Sequence, residues 1–170
     1  MSSRRDAVDA IVSQWEGLSP PVDVAPIEVI GRVSRLSRLV DRRLAENYAR
    51  HDIEAWMYDV LATLRRSGEP YELTAGDLMR QTMVTTGAVT NRIDRLEGRG
   101  LVERVGASDR RKVIVRLTTA GRELVDEVVV THVALEDELL ASLDARQRTQ
   151  LAGLLRTLLL SLGDGAADER

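Results

Sequence analysis

Between positions 85 and 112 the chain sets out groups suited to a nucleic-acid duplex: Thr85, Thr86, Gly87, Ala88, Thr90, Asn91 and Arg95, followed by the basic run Arg110, Arg111 and Lys112. Asn can take adenine through two hydrogen bonds, Arg can take guanine in the same way or grip a phosphate, and Thr hydroxyls suit phosphate oxygens. Wound at about 100° per residue, Val89, Ile93 and Leu96 converge on one face and turn inward, which aims Gly87, Ala88, Asn91 and Arg95 outward. Small residues at the leading end let such a helix approach the floor of a major groove. A merely solvated helix would carry Glu and Lys there. The stretch Ser108-Asp109-Arg110-Arg111 has the length and charge to enter a neighbouring minor groove, with Asp109 orienting an Arg.

The charge distribution agrees. From Arg80 to Arg122 ten basic residues stand against four acids, so the rest of a chain with net charge −3 is strongly acidic. A basic stripe on an acidic body draws phosphates to one face and keeps the remaining surface off the duplex. With no Cys and only His51 and His132, the chain holds no thiolate metal site or disulfide, no glycine-rich phosphate loop and no paired nucleophile and base. An enzyme is therefore not expected, and neither metal nor cofactor is. No apolar run approaches the roughly 18 residues of a membrane span, and the polar start Met1 to Arg5 leads into no secretory core, so no membrane partner and a cytoplasmic location are expected.

The elements that must position these groups follow from periodicity. Arg4 to Trp15 reads as a short amphipathic helix with Val8, Ile11, Val12 and Trp15 on one stripe, stopped by Gly17 and Pro20-Pro21. A long helix opens at Pro26 and runs to about His51 with Ile27, Ile30, Val33, Leu36, Val40, Leu44 and Tyr48 along one side. A helix through Trp56, Met57, Val60, Leu61 and Leu64 stops at Gly68-Glu69-Pro70, and Tyr71 to Leu73 reads as a brief strand. Thr74 caps a short helix, and a second runs from Thr85 to Arg99 before Gly100, a tandem that suggests helix-turn-helix. Leu101 to Val105 and Val113 to Leu117 then form a hairpin with a basic tip. Thr118 opens a long helix, and Asp144 with Gln147 forms a capping box for the last one. Its stripe, from Leu151 to Leu162, is wider than a lone helix can bury, which predicts an interface between two copies. The expected organisation is an extension helix (1–20), a first dimerisation helix (21–52), a winged helix-turn-helix lobe (53–118), C-terminal dimerisation helices (119–163) and a tail (164–170). The fold class is mainly α with a small β-wing.

Helix-turn-helix followed by Gly100-Leu101-Val102-Glu103-Arg104, then Asp109-Arg110-Arg111, then Leu117-Thr118-Thr119-Ala120-Gly121, resembles the MarR family of winged-helix transcriptional regulators over roughly residues 26 to 162. The resemblance implies a homodimer held by its first and last helices, a palindromic double-stranded DNA operator, and repression relieved by a small aromatic anion. Where several relatives place an acid at the start of the recognition helix to pair with the wing Arg, this chain has Thr85. The added N-terminal helix is similar to that of the urate-responsive branch, whose ligand residues match Trp15, Asp59, Arg92 and Arg104.

Two of these matches have independent support. Arg92 lies about 70° from the centre of the buried face of its helix, poorly aimed at DNA. Asp59 sits within an apolar helix, where an acid needs a cationic partner. On this reading a planar anion stacks by Trp15, pairs with Arg92 and Arg104, and repels Asp59, so that the recognition helix shifts. Another phenolic or carboxylate ligand is the nearest alternative. A winged helix used only for protein contacts is the alternative of a different class.

Overall fold

The computed structural model describes residues 5–15, 22–82, 86–106 and 113–165, and the side chains of all of these except 86–89. Helix α1 (Ala7–Trp15) starts at Ala7 because Asp6 caps it, while Arg4, the expected start, lies outside the described residues. The Asp6 carboxylate accepts from the Val8 N–H at 2.7 Å and the Asp9 N–H at 3.1 Å, and Asp9 accepts in return from the Asp6 N–H at 2.7 Å. Val8 and Val12 are buried against α2 (Ala25–Ala49), where Gly31 permits the approach: a Cβ there would stand 3.2 Å from Val8 Cγ1. Arg32 of α2 holds α1 with ion pairs to Asp6 at 2.8 Å and Asp9 at 2.6 Å. Ile11 and Trp15, on the same predicted stripe, remain 43% and 44% exposed.

Pro26 sits in the first turn of α2, its fixed φ suited to a helix start. The outer part of the predicted stripe is uncovered within the chain, with Ile30, Val33 and Leu36 all exposed. Then come α3 (Ala55–Arg66), β1 (Glu72–Thr74), α4 (Ala75–Gln81), α5 (Thr86–Gly98), β2 (Val102–Gly106), β3 (Val113–Leu117), α6 (Thr119–Leu139) and α7 (Ala145–Ser161). The brief strand begins at Glu72, one residue later than expected, because its partner register is set by β3: Glu72 faces Arg116 and Thr74 faces Ile114. The antiparallel sheet runs in the order β1-β3-β2, so the predicted hairpin gains a third strand on its far side.

One core joins α3, α4, α5, the sheet and the first part of α6. Met57, Leu61 and Leu64 of α3 pack with Leu78 of α4, Ile93 and Leu96 of α5, Val102 and Val115 of the sheet, and Val125 and Val128 of α6. Residues Met1–Val128 make one compact unit and Val129–Arg170 a second. The division falls within α6. In the second unit, the Asp144–Gln147 capping box starts α7 as expected, and no residue of α7 is buried within the chain.

The joint between α5, β2 and α6 is tight. Gly100, with φ +69°, ends α5 in the left-handed region that glycine favours, and the Leu101 N–H reaches back to the Leu96 carbonyl at 3.0 Å. Thr118 then donates through its hydroxyl to the Gly100 carbonyl at 2.7 Å and accepts from the Gly121 N–H at 3.0 Å. The first turn of α6 comes so close that a Cβ on Gly121 would fall 1.9 Å from the Leu101 carbonyl oxygen.

Candidate nucleic-acid interface and ligand site

Helices α4 and α5 form the helix-turn-helix. Thr74 starts α4 as expected, its side chain accepting from the Asp77 N–H at 3.1 Å. In α5 the predicted inward residues Ile93 and Leu96 are buried, and Thr90 and Asn91 are exposed. The backbone of 86–89 is helical, whereas the side chains of Thr86, Gly87 and Ala88, together with all of Thr85, Arg110, Arg111 and Lys112, lie outside the described residues.

Arg95 leaves α5 on the exposed side, yet its guanidinium turns back toward the start of α3. It donates to Glu54 at 2.5 Å and lies 4.6 Å above the Trp56 ring. Its neighbours on and beyond α5 are also engaged. Arg99 donates to the Asp52 carbonyl at 2.7 Å and to the Asp52 carboxylate at 3.1 Å, and Arg104 of β2 pairs with Asp94 at 2.5 Å and with Glu97. The basic stripe is thus partly neutralised by acids of its own lobe.

The Asp59–Arg92 ion pair expected from the sequence does not form among the described residues: Arg92 acts on Asp59 only through longer-range electrostatic attraction, behind that of Arg66. Arg92 stands over the Trp56 ring at 5.5 Å. Asp59 is half-buried, and burial pushes its carboxyl above the ordinary value of 3.8, against the opposing pull of Arg66 and Arg92. Trp56 and Asp59 are three residues apart and share a face of α3, so the ring under Arg92 and the half-buried acid lie one turn apart. Arg104, spent on Asp94 and Glu97, is not part of that arrangement, and no ring or ion-pair contact joins Trp15 to the other three among the described residues.

Trp56, expected only as part of the apolar pattern of α3, and Glu54, for which the sequence suggested no role, both belong to this site. The spacing Glu54-x-Trp56-x-x-Asp59 at a helix start was the available signal. Glu54 is fixed chiefly by a hydrogen bond from Trp56 and next by Arg95, which together hold its carboxyl below the usual range. His51 lies against Glu127 at 3.3 Å and His132 against Glu136 at 3.2 Å, and among the described residues no three His, Cys, Asp or Glu side chains gather as metal ligands.

The raised Asp59 carboxyl has a measurable consequence. Folding favours its protonated form, so its contribution to stability is whole below the unfolded value and is lost as pH rises through the folded value. Asp59→Asn is therefore expected to melt above the parent at pH 7, and the two melting curves should converge as pH falls through about 4. A constant gap across that range would place the Asp59 carboxyl in water.

A profile of the MarR family matches residues 51–112. The HTH-type transcriptional regulator PecS of Dickeya dadantii is 38% identical over 149 residues, covering 87% of this chain and 90% of its own. Among solved structures, a MarR mutant from E. coli complexed with operator DNA superposes with a TM-score of 0.70 at 30% identity, covering 81% of this chain and 99% of that one. A structure of Bordetella bronchiseptica BpsR, which addresses regulation of its DNA binding by 6-hydroxynicotinic acid, superposes with a TM-score of 0.61 at 28% identity, covering 75% and 98%. No helix among the described residues is long and apolar enough to cross a membrane. The mainly helical winged fold, the helix-turn-helix within it and the identity to PecS across most of the chain agree: the chain belongs to the MarR family of transcriptional regulators, DNA-binding proteins rather than enzymes.

Proposed function

We propose that the protein is a homodimeric repressor that holds a palindromic operator through two copies of α5 and releases it when a small planar aromatic anion, urate in the first instance, binds between α3 and α5. The observation that carries this reading is the half-buried Asp59 on α3, an acid that burial disfavours, within electrostatic reach of Arg92, whose guanidinium crosses from α5 to the Trp56 ring one turn away on the same helix. An anion attracted to Arg92 meets repulsion from Asp59, so binding and helix position are coupled, and the coupling is reciprocal. Trp15 and Arg104 are proposed to complete the site, Arg104 by exchanging Asp94 and Glu97 for the ligand. The relation to BpsR supports the ligand class, a planar ring bearing an anionic group.

The exposed apolar faces of α2 and α7 support the dimer. Two recognition helices would then lie about 34 Å apart, or adjust to that spacing. Thr85, Thr86, Gly87, Ala88, Thr90 and Asn91 would meet the major groove, and Arg110, Arg111 and Lys112 the minor groove. The direct test is a gel shift on the DNA upstream of the protein's own gene, with and without urate. A shifted band that urate dissolves is expected, and a band indifferent to urate overturns the ligand. Arg95→Ala is expected to weaken operator binding by about 1 to 3 kcal/mol and to relax preference at one position per half-site. Equal loss on random DNA would make Arg95 a phosphate contact.

A further inference from the structure

We propose that Glu54 is a positioning residue for DNA binding: together with Trp56 it seats Arg95 away from the duplex, so that Arg95 reaches DNA only by exchanging that seat. The inference rests on the reading that Arg95 faces DNA. Three contacts make the seat. Glu54 accepts from Arg95 at 2.5 Å, the Trp56 ring lies 4.6 Å beneath the guanidinium, and Trp56 itself donates to Glu54. The carboxylate is thereby anchored by the same ring that carries the arginine. Glu54 is also the residue that precedes α3, with extended backbone at φ −97° and ψ 158°, so its position is set by the helix start rather than by a loose loop.

The strength of the seat decides its effect. An exposed ion pair with one cation–π contact is comparable to a single phosphate contact and weaker than a two-bond contact to a guanine edge. On arbitrary DNA, Arg95 gains nothing by leaving Glu54 and stays. A correctly placed base edge draws it off. Glu54 thus removes one cation from the sequence-independent attraction while leaving it available for recognition. Arg92, on the same ring at 5.5 Å, has no carboxylate seat of this kind among the described residues, which separates the two arginines.

The experiment measures the affinity of the full chain for the operator and, as a function of NaCl, for a random-sequence duplex, with the parent, Glu54→Gln, Arg95→Ala and the double variant. Glu54→Gln is expected to bind about two- to five-fold more tightly, with a salt dependence steeper by about 0.9 per protomer, the signature of one added phosphate contact. In the Arg95→Ala background the same substitution should change neither quantity. Weaker binding by Glu54→Gln would overturn the proposal, because Glu54 would then be buttressing Arg95 for contact. A gain of equal size in both backgrounds would also overturn it, since the effect would be general charge removal. If Arg95→Ala lowers operator affinity while Glu54→Gln changes nothing, the proposal fails and the assignment of Arg95 to DNA stands. If Arg95→Ala alters binding to neither DNA, that assignment fails too.

Discussion

Gly121→Ala is expected to lower stability by about 3 kcal/mol, one of the larger effects a single methyl group can have. The added Cβ would meet the Leu101 carbonyl oxygen at 1.9 Å, and backbone cannot swing aside as a side-chain tip can. Either α6 must withdraw from the α5–β2 joint or the Leu101 peptide must turn. The second response breaks the Thr118 N–H bond to that oxygen at 3.2 Å and strains the Gly100 contact that Thr118 makes through its hydroxyl. At this chain length the loss amounts to a fall of about 6 to 12 °C in Tm. Gly153→Ala provides the contrast, because its Cβ meets nothing within 4 Å and it lies inside α7. There alanine should be neutral or stabilise by up to about 1 kcal/mol. Thermal melts of both variants decide the matter, and an unchanged Tm for Gly121→Ala would mean that α6 and Leu101 stand farther apart in solution.

The second large effect concerns release. Arg92→Ala is expected to weaken urate binding by about 10- to 100-fold, the loss that follows from removing a charge-assisted hydrogen bond to an anion. Asp59→Asn should act differently, since the amide preserves volume and hydrogen bonding but removes the charge that opposes the ligand. That variant should still shift operator DNA and need at least about ten times more urate for release, reflecting the loss of a coupling of at least about 1.4 kcal/mol. Titrating urate into each DNA complex reads both outcomes. Release of the Asp59→Asn complex at the parent's urate level, or undiminished urate binding by Arg92→Ala, would place the ligand elsewhere.

Much of the framework was legible because it depends on local rules. The periodic stripes located each helix to within a few residues, Thr74 and Asp144 marked their helix starts through capping chemistry, and Gly100 marked the end of α5. What stayed hidden was long-range. That β1 pairs with β3 depends on a register between segments some forty residues apart, which no periodicity records. The charge count from Arg80 to Arg122 takes in only the four acids of that window, whereas Asp52 and Glu54, outside it, hold Arg99 and Arg95. The helical-wheel angle rightly turned Arg92 away from the exposed face, yet it contained nothing about the ring that receives it. Trp56 fits the apolar pattern of α3 and also supports two cations, and only the packing of α3 against α5 separates those roles.

The manner in which α1 is attached has a consequence for how the molecule opens. Val8 and Val12 stand apart from the core cluster that unites α3 to α6, and α1 is held to α2 by a small apolar patch and the two carboxylates gripping Arg32. Such a helix can detach and reseat without global unfolding, because its departure uncovers little apolar surface and leaves the main core closed. Its amide hydrogens should therefore exchange with solvent far sooner than those of α3, and sooner still in concentrated salt, which screens the exposed Arg32 pairs. A ligand that touches Trp15 would slow exchange along the whole of α1, recording occupancy without any DNA present.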